Sequence, residues 1–76
     1  MTEEVKQLIE FATQDLIAEI VEKDNLSIQE AMNELYHSTF FQQLTNPSYG
    51  LYRESGGYLY AAYKSLNPDT KQNAGG

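Results

Sequence analysis

The chain has 76 residues and a net charge of −6, with 41% hydrophobic residues and neither cysteine nor tryptophan. This length allows one small domain, and the lack of cysteine excludes disulfide scaffolds, cysteine metal sites and thiol nucleophiles. The N-terminal residues lack the basic start and apolar block of a signal peptide, and no apolar run is long enough to cross a bilayer. We therefore expect a cytoplasmic protein with no membrane partner.

The first predicted element is a long helix over residues 2–23. Its apolar residues follow the three-four spacing of an amphipathic helix: Val5, Leu8, Ile9, Ala12, Leu16 and Ile20. Thr2 is the expected N-cap, because its side chain can accept from a free amide of the first turn. Asn25 is the expected end, because asparagine tolerates the left-handed backbone conformation.

A capping box predicts the second helix. In Ser27-Ile28-Gln29-Glu30, the Ser27 hydroxyl can accept from the Glu30 amide while the Glu30 side chain reaches back to the Ser27 amide. The expected buried face holds Ile28, Ala31, Met32, Leu35 and Tyr36. Since only a few residues separate the first two helices, we expect them to be antiparallel neighbours.

A third, short helix is predicted to start at Ser38-Thr39 and to end at Asn46-Pro47, because the residue before proline avoids the helical region. The segment after it has two interpretations. Ser55 can cap a helix that carries Leu59, Ala62, Tyr63 and Leu66 on one face. Alternatively, the tyrosine-rich residues 51–60 can form a β-hairpin around Glu54-Ser55-Gly56-Gly57.

The predicted fold is therefore all-α, a small bundle of three or four short helices. We expect a single helical domain over residues 1–66 and a disordered tail over residues 67–76, which are polar and end in two glycines. The alternative is an α+β fold with a C-terminal hairpin at residues 51–60.

The order of these elements resembles a family of short, mostly helical bacterial domains of unknown function, over about residues 5–66. The pieces that carry the resemblance are the Ser27-to-Tyr36 helix, the Phe40-to-Leu44 helix, Tyr49-x-Leu-Tyr, and Tyr58-Leu59 followed by Tyr63 and Leu66. At Leu51-Tyr52-Arg53 the chain departs from the family, in which a His-Thr pair follows the leucine. The family contributes no established activity. Its members often lie near toxin-like genes, which implies a partner-binding role.

Charge and aromatic residues are distributed unequally. Residues 1–38 hold nine acids and two lysines, net −7, whereas residues 39–76 hold two acids and three bases, net +1. Eight of the nine aromatic residues fall at or after Tyr36. This pattern predicts a small acidic protein-interaction module that binds a basic protein partner, because opposite charge steers association.

Tyrosines mark the expected interaction surface, since tyrosine supplies large contact area and a polar tip. We expect Tyr63 to face inward and Tyr60 to be exposed, because Tyr60 lies about 100° from the buried helical face. Tyr52, Tyr58 and Tyr60 are the candidate residues for a partner or for a weak homodimer, with Tyr58 and Tyr60 near the contact.

Two other functional classes are alternatives. A tight turn between two helices is compatible with a helical DNA-binding regulator, although Glu30 and Glu34 would repel phosphate and the pI near 4.4 argues against nucleic acid. Glu30, Glu34 and His37 share one helical face, which is a spacing found in carboxylate metal sites and leaves a minor enzyme or metal-binding subunit as the second alternative. We expect no enzyme activity and no cofactor, because 76 residues leave little volume for a pocket.

Overall fold

A computed structural model describes residues 2–66 as a bundle of helices. Four α-helices, α1 to α4 in chain order, span Glu3–Asp24, Ile28–Tyr36, Thr39–Leu44 and Gly56–Leu66. Two single-turn 3₁₀ helices, Pro47–Tyr49 and Leu51–Arg53, join α3 to α4. The described residues contain no strand. The all-α prediction is therefore confirmed. The predicted tail, residues 67–76, lies outside the described residues.

The alternative hairpin at residues 51–60 is wrong. Residues 51–53 form a 3₁₀ turn, and α4 starts at Gly56 in place of a β-turn. Ser55 caps α4, because the Tyr58 amide donates to its Oγ at 3.2 Å. A capped helix start and a run of helix-forming residues after Tyr60 outweigh the strand preference of the tyrosines.

Side-chain caps fix the starts of the other helices as the sequence predicts. The Val5 amide donates to Thr2 Oγ1 at 3.1 Å at the start of α1. Ser27 and Glu30 form the full capping box of α2, with both hydrogen bonds present. Asn25, at φ 57°, takes the left-handed conformation that ends α1. These contacts satisfy amides and carbonyls that helix ends otherwise leave free.

The helix directions follow from two contacts between α1 and α4. Gly56, the first residue of α4, lies against Asp15 and Glu19, and Lys64 near the end of α4 reaches Asp24. α4 therefore runs in the same direction as α1. α2 also packs against α1 and follows it after a short turn, so α2 runs in the opposite direction.

The hydrophobic core lies between these three helices and α3. Its buried members are Ala12, Leu16, Ile20, Ala31, Leu35, Phe40, Leu44, Leu59 and Tyr63. Leu16, at 0% exposure, is central as its spacing predicts. Tyr63 faces inward, and its ring meets the Phe40 ring edge-on with 6.0 Å between centroids.

Several residues predicted to be buried are exposed. Ile28 is 62% exposed, because it lies in the first turn of α2 at one end of the bundle. Leu8 is 39% exposed, although Ile9 and Ala12 on the same turns are buried, because it lies at the edge of the buried face of α1. Leu66, at 43%, is the last residue of α4. None of the helices within residues 2–66 has the length and apolar composition that a bilayer crossing requires.

Candidate interaction surfaces

The three tyrosines predicted to form one surface lie in different environments. Tyr58 is 52% exposed. Tyr52 and Tyr60 are half-buried and pack against the core. The expectation that Tyr60 is exposed is therefore wrong, and the reason is a polar partner in α1 that the helical spacing of α4 alone does not reveal.

That partner is Asp24, the last residue of α1. The Tyr60 hydroxyl donates to Asp24 Oδ1 at 2.5 Å, and Lys64 Nζ lies 2.9 Å from Asp24 Oδ2. Lys23 Nζ and Lys64 Nζ also lie 5.3 and 5.7 Å from the centroid of the Tyr60 ring. These contacts hold Tyr60 in place as a link between α1 and α4, and they leave its hydroxyl engaged within the chain.

The pKa values of this cluster reflect its hydrogen bonds. Burial alone would raise the pKa of Asp24, but the hydrogen bonds from Tyr60 and Lys64 and the charge of Lys64 lower it below its ordinary value. The hydrogen bond to Asp24 raises the pKa of Tyr60, with burial adding to the rise. The same carboxylate raises the pKa of Lys64 against the opposing effect of burial. The cluster is thus stable with Asp24 and Lys64 as a direct charged pair and with neutral Tyr60 donating to the other oxygen of the same carboxylate.

Tyr52 has a structural environment of its own. It lies in the second 3₁₀ helix, which packs against α1, and the guanidinium carbon of its neighbour Arg53 lies 5.3 Å from its ring centroid. Because its ring packs against the core, Tyr52 covers the core from the side of the 3₁₀ helix.

Tyr58 instead belongs to an open groove that we call the tyrosine groove. It has a volume of about 330 Å³ and is lined by Phe40, Gln43, Tyr49, Leu51, Tyr58, Ala62, Ser65 and Leu66. None of these eight lining residues is charged, whereas the chain has sixteen charged residues, five basic and eleven acidic. Tyr49 and Tyr58 are 55% and 52% exposed at the groove, and Leu66 is 43% exposed. The groove is therefore an uncharged apolar surface on a strongly acidic chain.

A second surface, which we call the α1 stripe, runs along the outward side of α1. Its members repeat at intervals of four and three residues and are all exposed: Glu4, Leu8, Phe11, Asp15, Ala18 and Glu22. Phe11 is 56% exposed and Leu8 is 39% exposed, although both are large hydrophobic residues. The stripe holds three acids and no base. This surface was not predicted from the sequence, although its members repeat at the same four-and-three spacing as those of the buried face.

A smaller groove of about 270 Å³ lies between α1 and the α2–α3 side of the bundle. Its lining residues are Ile9, Glu10, Thr13, Gln14, Ile17, Tyr36, Phe41 and Thr45. Tyr36 and Phe41 form its aromatic wall, with 4.9 Å between ring centroids. The expectation that Tyr36 is buried is wrong, because Tyr36 is 45% exposed and packs against Phe41 of α3 at the rim of the bundle.

The predicted metal ligands have other contacts. Glu30 takes part in the capping box at the start of α2, and His37 Nδ1 lies 2.7 Å from the carbonyl oxygen of Asn33 at its end. Within residues 2–66, no three carboxylate or imidazole side chains converge to hold a metal ion. The Glu30, Glu34 and His37 spacing thus forms no joint site in the described part of the chain.

Comparison of the chain with protein-family models, with curated proteins and with solved structures finds no match. The resemblance to short bacterial helical domains therefore stays a prediction. The interaction surfaces have to be interpreted from their own geometry and charge.

Proposed function

We propose that this protein is a small acidic protein-interaction module, located in the cytoplasm and without catalytic activity, that binds a basic protein partner. The observation that carries the proposal is the α1 stripe, where Leu8 and Phe11 are exposed between Glu4 and Asp15. Exposed apolar residues rimmed by charge are typical of interaction sites, and aromatic residues supply much of the binding energy at such sites.

The chemistry of the stripe defines the kind of partner. An amphipathic helix with lysine or arginine beside its apolar face could place apolar side chains on Phe11 and its bases opposite Glu4, Asp15 and Glu22. The net charge of −6 would speed the encounter with such a partner. Added salt would weaken the complex, because it screens exposed charges.

Affinity capture from a native lysate tests the proposal when the immobilised bait is compared with two variants. Phe11→Ala removes the aromatic residue of the stripe, and Ile28→Ala removes an equally exposed aliphatic residue from α2, away from the stripe. We expect basic proteins to be retained by the unchanged chain and by Ile28→Ala, to be lost with Phe11→Ala, and to elute with salt. Capture that Phe11→Ala leaves intact, or capture of acidic proteins only, would contradict the proposal.

A titration of the captured protein then measures the effect. Phe11→Ala should weaken binding about tenfold or more, as expected for an aromatic residue at the centre of an interface. Combined Glu4→Gln and Asp15→Asn should weaken binding mainly at low salt, where unscreened charges contribute most. An unchanged salt dependence in this double variant would show that the stripe acids do not face the partner.

A fluorescence anisotropy titration with duplex DNA at low salt separates this function from the DNA-binding alternative. Glu30 and Glu34 are exposed on α2, and like charge opposes contact with phosphate. We expect no binding in the micromolar range. Tight binding to DNA would overturn the proposal in favour of a DNA-binding regulator.

A further inference from the structure

The tyrosine groove is an apolar surface that the proposed function does not use. A basic partner gains little there, because none of the groove residues carries a charge. The groove also lies on α3, α4 and the 3₁₀ segment, so it shares no residue with the α1 stripe. A ligand of this groove must therefore bind through apolar contacts and not through opposite charge.

We propose that the tyrosine groove binds a second copy of this chain. Two copies repel each other, since each has a net charge of −6, and the repulsion is smallest when uncharged faces meet. Residues 39–66, which contain all eight groove residues, have a net charge of only +1, from two bases and one acid. The groove is thus where self-association meets the least electrostatic opposition.

Tyr58 gives this contact its symmetry. It lines the groove and is also 52% exposed, so it can serve as a wall of its own groove and project into that of another copy. A two-fold axis makes both insertions at once, because each copy then presents the same surface. Tyr49 and Leu66, also exposed there, would pack around the inserted ring.

The exposed area predicts a weak dimer. Each of the three exposed side chains offers on the order of 100 Å² of surface, so the patch supplies about 300 Å² per copy. A stable complex buries about 800 Å² per partner. We therefore expect a dissociation constant in the high micromolar range, and an association that depends on local concentration.

The predicted salt dependence separates this dimer from the proposed partner complex. Salt should strengthen self-association, because it screens the repulsion between two acidic copies, and should weaken binding of a basic partner. The self-association and the binding of a basic partner can therefore be measured separately, and failure of one does not imply failure of the other.

Sedimentation equilibrium of the full chain from about 20 μM to 1 mM, at low and at high salt, tests the inference. We expect a monomer–dimer equilibrium that strengthens with salt. Tyr58→Ala should weaken it at least tenfold, whereas Phe11→Ala, on the α1 stripe, should leave it unchanged. A monomer throughout this range at both salt concentrations would overturn the inference, as would a dimer that is lost with Phe11→Ala and retained with Tyr58→Ala.

Cross-linking provides a second measurement that does not depend on the stability of Tyr58→Ala. The chain has no cysteine, so a single introduced thiol is unique. Ser65→Cys places it at the rim of the tyrosine groove, and Ala18→Cys places it on the exposed side of α1 as the control. A short bifunctional maleimide should join Ser65→Cys copies faster than Ala18→Cys copies. Equal rates would contradict a contact through the groove.

Discussion

The hydroxyl of Tyr60 donates a hydrogen bond to the carboxylate of Asp24, which joins α4 to the last residue of α1 across 36 positions of sequence. Lys64, one turn further along α4, donates to the other oxygen of the same carboxylate. Asp24 is therefore the point at which the C-terminal ends of the two parallel helices are held together.

Removing this hydrogen bond should destabilise the bundle. We expect Tyr60→Phe to lower the free energy of unfolding by about 1.5 kcal/mol, because hydrogen bonds to charged groups contribute more than neutral ones. Urea denaturation followed by circular dichroism measures the change. Tyr58→Phe is the matched control on the exposed side of the same helix and should be neutral. Equal effects of the two variants would show that the Asp24 contact contributes little.

Acid should weaken the same link. The pKa of Asp24 is lower in the folded chain than in the unfolded chain, so the unfolded state binds the proton more readily. The free energy of unfolding therefore decreases as the pH decreases. The contribution is fully present above the ordinary carboxyl pKa of 3.8 and is lost as the pH falls through the lower folded value. The difference in unfolding free energy between the unchanged chain and Asp24→Asn should therefore shrink as the pH is lowered from about 5 to about 2. A constant difference would contradict the ion pair.

Alkali should act on the other two members of the cluster. The folded pKa of Tyr60 is raised above 10.0 and that of Lys64 above 10.5, so both contribute stability that is complete below those values. This stability is lost as the pH rises through the folded pKa values. An alkaline titration followed by tyrosinate absorbance counts the tyrosines that ionise at each pH. Compared with the unchanged chain, Tyr60→Phe should have one fewer tyrosine that ionises above the ordinary tyrosine pKa. An unchanged late phase would place the raised pKa on another tyrosine, of which buried Tyr63 is the candidate.

Adjacent glycines at the start of α4 should respond oppositely to alanine. A Cβ at Gly57 meets no atom within 4 Å, so Gly57→Ala should stabilise the chain by about 0.5–1 kcal/mol through helix propensity. A Cβ at Gly56 would lie 3.3 Å from Asp15 Cβ and 3.4 Å from Glu19 Cγ. We expect Gly56→Ala to be about 1–3 kcal/mol less stable than Gly57→Ala, because the Asp15 and Glu19 side chains must shift by a few tenths of an ångström to admit the new methyl group. Equal thermal shifts for the pair would rule out this close approach.

Alanine substitutions at Leu16 and Ile28 test the packing of the core. The sequence predicts that both residues lie on buried helix faces. Leu16 is fully buried, whereas Ile28 is 62% exposed. Leu16→Ala should cost about 2–5 kcal/mol, and Ile28→Ala about 0.5 kcal/mol or less. In a domain this small the first change should unfold much of the population at 25 °C. Comparable losses for the two variants would mean that Ile28 is covered in solution.

Structural features that depend on interactions between neighbouring residues, such as helix starts, can be predicted from the sequence. Thr2, Ser27, Ser38 and Ser55 each mark a helix start, because a cap and its amide lie within three residues of each other. The tyrosine-rich segment had two interpretations, since tyrosine suits strands and Ala61-Ala62 suits a helix. Its outcome depends on the packing of Leu59 and Tyr63 into the core, a contact between distant parts of the chain.

The exposure of the candidate residues was predicted only in part, for the same reason. Tyr58 is exposed as an interaction residue must be, but Tyr60 is drawn inward by Asp24, a partner that no local spacing identifies. Leu8 was expected in the core, because periodicity shows that a face is apolar without showing where the covered part of that face ends. Ile9 and Ala12, one and four residues further along α1, are buried, whereas Leu8 is exposed.

The parallel arrangement of α1 and α4 has a consequence for attached segments. α1 has 22 residues and is about 33 Å long, and α4 ends beside its C-terminal end. Glu3 and Leu66 therefore lie toward opposite ends of the longest dimension of the described part of the chain, 42 Å. A linker that joined Leu66 to Glu3 directly would need about ten extended residues, whereas fluorophores at these two positions would report a separation that increases on unfolding.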